Sequence, residues 1–344
     1  MKTRVGVVGL GYWGPNLVRN VLASQQFDLT AVVDLDPARL ESVVRPSPAV
    51  RAASTMRTVL NDVDAVIIAT PPETHAALVR EALEAGKHVM VEKPLATDGP
   101  TAWGLVDLAE ARGLILAVDH TFLYTGSVEY LRGAIERGEL GQLYGLHSVR
   151  VNLGLYQRFA SVYMDLASHD ISIFNHLLGE RPSHVAAISL RLLNESFSDV
   201  AYLTLRYPSG IHGHAHVSWL SPVKVRQLTI SGSRKMAMWD DVEPSEKVRI
   251  YDKGVDFIGD ADARAASFVS YRAGDMHAPS IDTREALAKV IDAFAQAIGE
   301  GEPMRCNAQE GAAIVDVFEA VERSIAAGGA FVQVNSGRHA VNPV

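Results

Sequence analysis

Three glycines at G-x-G-x-x-G spacing, Gly9, Gly11 and Gly14, constrain this chain more than any other feature. Four of the five residues before Gly9 are small or apolar (Val5, Gly6, Val7, Val8) and read as a short buried strand. The glycines fall where that strand gives way to a helix. Gly9 makes the tight turn, Gly11 lets the backbone approach a pyrophosphate, and Gly14 lets the helix lie close to the strand. The free N–H groups and positive end of the helix favour phosphate, and Pro15 suits its first turn. A second β-like run, Leu29-Thr-Ala-Val-Val-Asp34, ends in an acid that can accept hydrogen bonds from adenosine ribose hydroxyls and would repel a 2′-phosphate. A dinucleotide is expected, with NAD favoured over NADP. Tyr12 and Trp13 either lie over the phosphates or pack the turn.

The 344 residues suggest two domains, and 48% apolar with 21% charged residues is enough for sizeable cores. The net charge of −8 argues against nucleic acid as a partner. The single cysteine, Cys306, cannot form an internal disulfide or a Cys-cluster metal site. No membrane span or signal layout is apparent, so a cytoplasmic protein is expected.

After Asp34, an acid-proline start (Asp36-Pro37) opens a second helix. Apolar runs at 64–70, 87–94 and 115–118 read as further strands, with a helix at 73–85 closed by Gly86. Alternating strands and helices argue for a parallel sheet covered on both faces, whose ligands bind outside the carboxyl ends of the strands. Thr70, Glu92, Lys93, Asp119 and His120 all fall at such ends. A lysine there can steady an incipient alkoxide; a lysine snorkelling to solvent is the plain alternative.

The fold class expected is α/β: a Rossmann dinucleotide-binding domain over 1–120, then an α+β domain over 121–344 with a large, mostly antiparallel open sheet. An amphipathic helix is read at 127–137, strand-like runs at 141–151, 184–193, 200–207, 211–219, 225–231 and 235–239, and late helices near 283–298 and 308–326. Within this half lies Asp165-Leu-Ala-Ser-His169, followed by Asp170 and closed by Gly179. If helical, Asp165 and His169 stack at i and i+4, where an imidazole backed by a carboxylate can take a hydroxyl proton. A capping acid beside a core histidine is the alternative. His212, His214 and His216 alternate along one strand face; a sheet face, such as one at a subunit contact, accounts for them better than a metal, and no metal is expected.

Gly9-Leu-Gly-Tyr-Trp-Gly14, Ala69-Thr-Pro-Pro-Glu-Thr-His75 and Ala85-Gly-Lys-His-Val-Met-Val-Glu-Lys-Pro94 together resemble the glucose–fructose oxidoreductase / inositol dehydrogenase (Gfo/Idh/MocA) family. That resemblance implies Thr70, Pro71 and His75 lining the cofactor, and Glu92 and Lys93 by the nicotinamide ribose. It also implies a Lys93–Pro94 bond that is often cis in relatives, Lys93 on the substrate hydroxyl, His169 as general base and Asp165 orienting it. Two departures touch substrate detail: Ala167 where Gly is common between the pair, and Ser172 where many relatives carry an acid. The run Trp219–Arg226 with Asp240-Asp241 resembles the nucleotide-sugar branch, in which Arg150, Arg158, Lys224 and Arg226 are candidate phosphate or carboxylate partners; Arg158 is the one assigned to substrate. The resemblance therefore implies an NAD-dependent dehydrogenase of a sugar secondary alcohol, a nucleotide sugar oxidised at C3, in a homodimer or homotetramer. The alternatives are a dehydrogenase of inositol or another free polyol, and a non-catalytic NAD-binding transcriptional regulator.

Overall fold

The computed structural model describes residues 2–154, 156, 160–193, 195–258 and 268–335. Two compact units emerge, and the first is discontinuous: residues up to Thr125 are joined by Arg284–Glu319, while Gly126–Thr283 and Ala320–Val334 make the second. The late helices thus divide. One helix (α7, Ala286–Glu300) and most of the next (α8, Ala308–Ala326) pack with the N-terminal unit.

In the first unit the strands are β1 (Thr3–Val8), β2 (Phe27–Val33), β3 (Arg51–Ala53), β4 (Ala65–Ile68), β5 (His88–Glu92) and β6 (Leu116–Asp119). They pair in parallel in the order β3-β2-β1-β4-β5-β6, the doubly wound order. The helices between them are α1 (Gly14–Ala23), α2 (Pro37–Val44), α3 (Pro72–Glu84) and α4 (Gly99–Arg112). Continuous apolar runs form the central strands because both faces are covered: Val5, Val7, Val66, Ile68, Val89 and Val118 are fully buried. Local chemistry starts the helices. Asp36 caps α2 by accepting from Ala38 N–H at 2.9 Å, and Asp98 caps α4 by accepting from Thr101 N–H at 2.8 Å. The added C-terminal helices are tied in by polar contacts: Trp103 Nε1 donates to Asp316 at 2.9 Å, and Gly99 N–H to Glu319 at 2.7 Å. Phe294 of α7 packs on Phe27 of β2 with ring centres 5.8 Å apart.

The second unit holds α5 (Gly126–Glu136), β7 (Leu143–Val151), α6 (Ser168–Leu178), β8 (His184–Leu190), β9 (Val200–Arg206), β10 (His212–Ser218), β11 (Val225–Gly232), β12 (Met236–Asp240), β13 (Val248–Ile258), β14 (Phe268–His277) and β15 (Val332–Gln333). Among the described residues nine strands form one open sheet in the order β14-β13-β12-β11-β7-β10-β9-β8-β15. Among the described residues only the β7–β10 pair in this sheet is parallel. Burial alternates along the central strands: Gly213, Ala215 and Val217 are covered, whereas His212, His214 and His216 are half-exposed on the other face. Among the described residues no helix is long and apolar enough to cross a membrane.

Candidate active site

The glycine loop is built as its spacing requires. Gly9 has φ +93°, and a Cβ there would lie 2.5 Å from the Ala69 carbonyl oxygen, so β1 and β4 can meet only around a glycine. A Cβ on Gly14 would lie 2.2 Å from the Gly9 oxygen, which is the close helix–strand packing expected of the third glycine. Gly11 is different. A side chain there would meet nothing nearer than Arg39 Nη1 at 3.8 Å, so protein packing does not demand a glycine. What its bare backbone provides is room for a ligand. The N-terminus of α1 carries no side-chain cap, leaving its first N–H groups for an anion. Tyr12 stands 81% exposed beside it, and Trp13 is half-buried.

Asp34 closes this loop from β2. Its Oδ2 accepts from Leu10 N–H at 2.6 Å and its Oδ1 from Asp36 N–H at 2.8 Å. Arg39, which is not among the residues expected from sequence, sits 3.7 Å from Asp34 and 3.4 Å from Asp36. Its only sequence signal is its place five residues beyond Asp34.

At the ends of β4 and β5, His75 is fully buried and its ring nitrogens meet two backbone carbonyls, Pro94 O at 2.7 Å and Thr70 O at 2.8 Å. Burial, as the dominant influence, lowers its pKa. With both nitrogens engaged by the protein, His75 braces the Thr70 and Pro94 carbonyls, the latter on the residue that follows the cis Lys93–Pro94 bond. Pro71 is exposed at the head of α3, and Thr70 Oγ1 accepts from the Thr74 hydroxyl at 2.7 Å. Lys93 is half-buried directly after β5.

Beside Lys93 stand Glu92, Asp119 and His120, the last two marked in the sequence only by their strand-end positions. Glu92 and Asp119 are register partners on adjacent parallel strands, so their side chains share a face. His120 is 2% exposed and neither ring nitrogen has a hydrogen-bond partner among the described residues. Burial first, and the Lys93 charge second, lower its pKa to about 3, so the ring is neutral.

In the second unit, Asp165 lies in a π-helical turn, Tyr163–Ala167, that runs directly into α6 carrying His169. The expected single α-helix is therefore interrupted at the pair itself, and such i→i+5 turns concentrate at functional sites. Both side chains are half-buried. Asp170, next to His169, receives the Arg150 guanidinium at 3.1 Å from Nε and from Nη2, with side chains only 4% and 6% exposed. Arg150 is thus engaged in an internal ion pair and is removed from the candidate phosphate partners. Arg226 pairs with Asp241 at 3.4 Å, and Lys224 is exposed. Arg158 lies outside the described residues. On the half-exposed sheet face the His214 ring lies tilted against that of His147 with centres 4.7 Å apart and takes part in a 2.9 Å hydrogen bond with Thr204, while His216 stacks with Tyr202 at 4.5 Å. Among the described residues there is no group of three or more His, Cys, Asp or Glu able to hold a metal.

The doubly wound sheet, its glycine turn and the acid at the end of β2 define a Rossmann dinucleotide-binding protein. The chain belongs to the GFO/IDH/MocA oxidoreductase family: residues 3–120 match its NAD-binding Rossmann fold and residues 128–238 its C-terminal domain. It is an NAD-binding oxidoreductase. It is 28% identical over 327 residues to the UDP-N-acetylglucosamine 3-dehydrogenase of Acidithiobacillus ferrooxidans, covering 93% of this chain and 97% of that one. The solved structure of that enzyme gives a TM-score of 0.80 at 25% identity, over 95% of this chain and 99% of the other. The inositol 2-dehydrogenase of Rhizobium meliloti is 26% identical over 350 residues, 95% of this chain and 98% of that one. A structure from gentamicin A biosynthesis, solved in complex with NAD, shares the fold at TM-score 0.81 and 23% identity, over 97% of each chain.

Proposed function

We propose that this protein oxidises a secondary alcohol of a nucleotide sugar, at C3, or reduces the corresponding ketone. NAD, when bound, supplies a hydride acceptor at nicotinamide C4. The observation that carries the reading is the presence of Lys93 directly after β5 and of Asp165 and His169 across the π-turn junction. These are an ammonium, a carboxylate and an imidazole, the groups that removal of a hydride from an alcohol needs. End-to-end similarity to a UDP-N-acetylglucosamine 3-dehydrogenase supports the substrate class.

In the oxidative direction His169 takes the hydroxyl proton, Asp165 orients the imidazole, and Lys93 steadies the developing negative charge on oxygen. Glu92 and Thr70 flank the nicotinamide end, while Gly9, Gly11, Tyr12, Trp13 and Gly14 border the pyrophosphate and Asp34 holds the ribose. Pro71 shapes the rim, and His75 acts by bracing Thr70 and Pro94 through their carbonyls. Arg158 remains the proposed contact to the substrate's anionic part.

Residues up to about 120 serve as the cofactor domain, with Arg284–Glu319 supporting it. The remainder serves substrate binding and self-association. Exposed Ile188 and Tyr202 are register neighbours of each other, and Tyr202 of His216, which supports pairing of two copies through that sheet face. A cytoplasmic location fits an enzyme drawing on soluble NAD and carrying one buried thiol.

A free polyol is the competing substrate class, supported by the inositol 2-dehydrogenase similarity. Purified protein supplied with NAD and either UDP-N-acetylglucosamine or inositols separates the two. Formation of NADH with the sugar nucleotide and none with inositol supports the reading; the reverse overturns it.

A further inference from the structure

The acids at the ends of β5 and β6 carry an inference of their own. Asp119 is 3% exposed, and its Oδ1 accepts from the Thr121 hydroxyl at 2.7 Å. Its Oδ2 is enclosed and has no hydrogen-bond partner among the described residues. Glu92 as a residue is only partly buried, yet its Oε1 is likewise enclosed and unpartnered. The two residues are opposite one another in the parallel register. Parallel neighbours lie about 4.8 Å apart across the ladder, with side chains on the same face. Two ionised carboxylates are acceptors only and repel at that range. With one proton between them, each enclosed oxygen becomes the partner of the other.

The surroundings favour that single proton. Burial, and then the charge of Asp119, hold the Glu92 carboxyl well above the usual carboxylate range. Burial also raises Asp119, against the opposing pull of Thr121, Glu92, Trp13 and Lys93. The other titratable neighbours cannot replace it. His120 is neutral, and the enclosed Cys306 thiol, raised to about 12 by burial and by Asp119, keeps its proton. Lys93 is then the one neighbouring cation among these groups, facing one shared negative charge.

We propose that Glu92 and Asp119 hold a single shared proton in the ligand-free protein, making Asp119 a positioning residue that sets the charge of Glu92 beside Lys93, and that this proton is released when the cationic ring of oxidised NAD arrives. Only an O–H bond breaks in this step. The proton passes to the buffer, and the pair gains the negative charge that balances the ring. The reduced ring is neutral and leaves the proton in place. The release rests on reading the β5–β6 strand ends as the nicotinamide site; the shared proton does not.

Carbon-13 NMR of carboxyl-labelled, ligand-free full-length protein tests the first part. Two side-chain resonances should titrate together above the ordinary carboxyl range, which lies near ~4. Asp119→Asn should remove one and lower the midpoint of Glu92 by about a unit or more, since an amide donates a hydrogen bond to the carboxylate. Glu92→Gln should remove the other resonance and leave Asp119 titrating alone, without the joint step, because the amide stands in for the donor that protonated Glu92 supplies. Both resonances in carboxylate form at neutral pH, or a Glu92 midpoint indifferent to Asp119→Asn, would overturn the shared proton. Indicator-dye measurements in weak buffer test the second part. Oxidised NAD should release more protons on binding than reduced NAD, and Asp119→Asn should remove the difference. Equal release by both forms in the wild type would overturn the coupling. Failure of either form to bind would instead sink the cofactor reading, leaving the NMR result to judge the pair.

Discussion

Asp34 Oδ2 accepts the Leu10 backbone N–H at 2.6 Å, so the acid that ends β2 also fixes the shape of the glycine loop that ends β1. With Asp34 in its proposed role on the ribose, ribose recognition and phosphate-loop geometry would depend on one carboxylate. Asp34→Ala should lose both. A hydrogen bond to a charged group is worth about 1.5–3 kcal/mol, so NAD should bind roughly ten- to a hundredfold more weakly. Arg39 would then be freed from Asp34 to meet a 2′-phosphate, and the preference for NAD over NADP should narrow. Titrations with both cofactors check this; an unchanged preference would contradict the ribose assignment.

The glycines should separate folding from binding. Gly9→Ala and Gly14→Ala both force a Cβ into backbone atoms, at 2.5 and 2.2 Å, and each should lower stability by about 1–3 kcal/mol. Gly11→Ala meets only the tip of Arg39 and should leave thermal unfolding within about 0.5 kcal/mol of wild type while weakening NAD. Calorimetric melts paired with NAD titrations distinguish the two behaviours.

Arg150 and Asp170, the residue after His169, form a buried ion pair, and removing one partner leaves the other charged and buried. Arg150→Met should cost about 3–5 kcal/mol in chemical denaturation. The double variant Arg150→Met, Asp170→Leu should recover much of that loss, because no uncompensated charge remains. Equal stability of wild type and Arg150→Met would show that the pair is solvated in solution.

Acid stability should register His120. Its folded pKa, about 3, lies below the ordinary value of 6.5, so the unfolded chain binds the extra proton first. Its contribution is fully present above 6.5 and is lost progressively as the pH falls toward 3. In that window stability should fall by up to about 1.4 kcal/mol per pH unit. His120→Asn should flatten the slope, as read from denaturation midpoints across the window; an unaltered slope would assign it to another group, His75 being depressed in the same direction.

The parts of the fold that are legible in the sequence are those with a strong local signal. β1, β4, β5 and β6, and the Ala31–Val33 end of β2, are built on apolar runs because both sheet faces are covered, and α2 and α3 follow proline-marked starts. β3 is three residues long with an exposed-to-intermediate pattern, too short and too open to stand out. β13 and β14 are hidden as well, since charged and polar residues such as Asp252, Lys253, Arg272 and Asp275 interrupt any apolar alternation. α4 is absent from the expected elements although it carries a signal, Asp98-Gly-Pro-Thr101 at its start and Gly113 at its end. The return of Arg284–Glu319 to the first unit has no local signature, because periodicity reports that a helix is amphipathic and not which sheet it covers. In the site, the chemical types are readable at Asp34, Lys93, Asp165 and His169. The contacts that need register or a tertiary neighbour are not: Glu92 opposite Asp119, Arg150 on Asp170, and the π turn that carries Asp165.

Deuterium at C3 of the nucleotide sugar gives the most direct test of hydride transfer. With wild-type protein and NAD, the label should appear in the reduced cofactor by mass spectrometry. His169→Ala should transfer almost none while still binding NAD. Label retained on the sugar during wild-type turnover, or passed on undiminished by His169→Ala, would contradict the proposed chemistry.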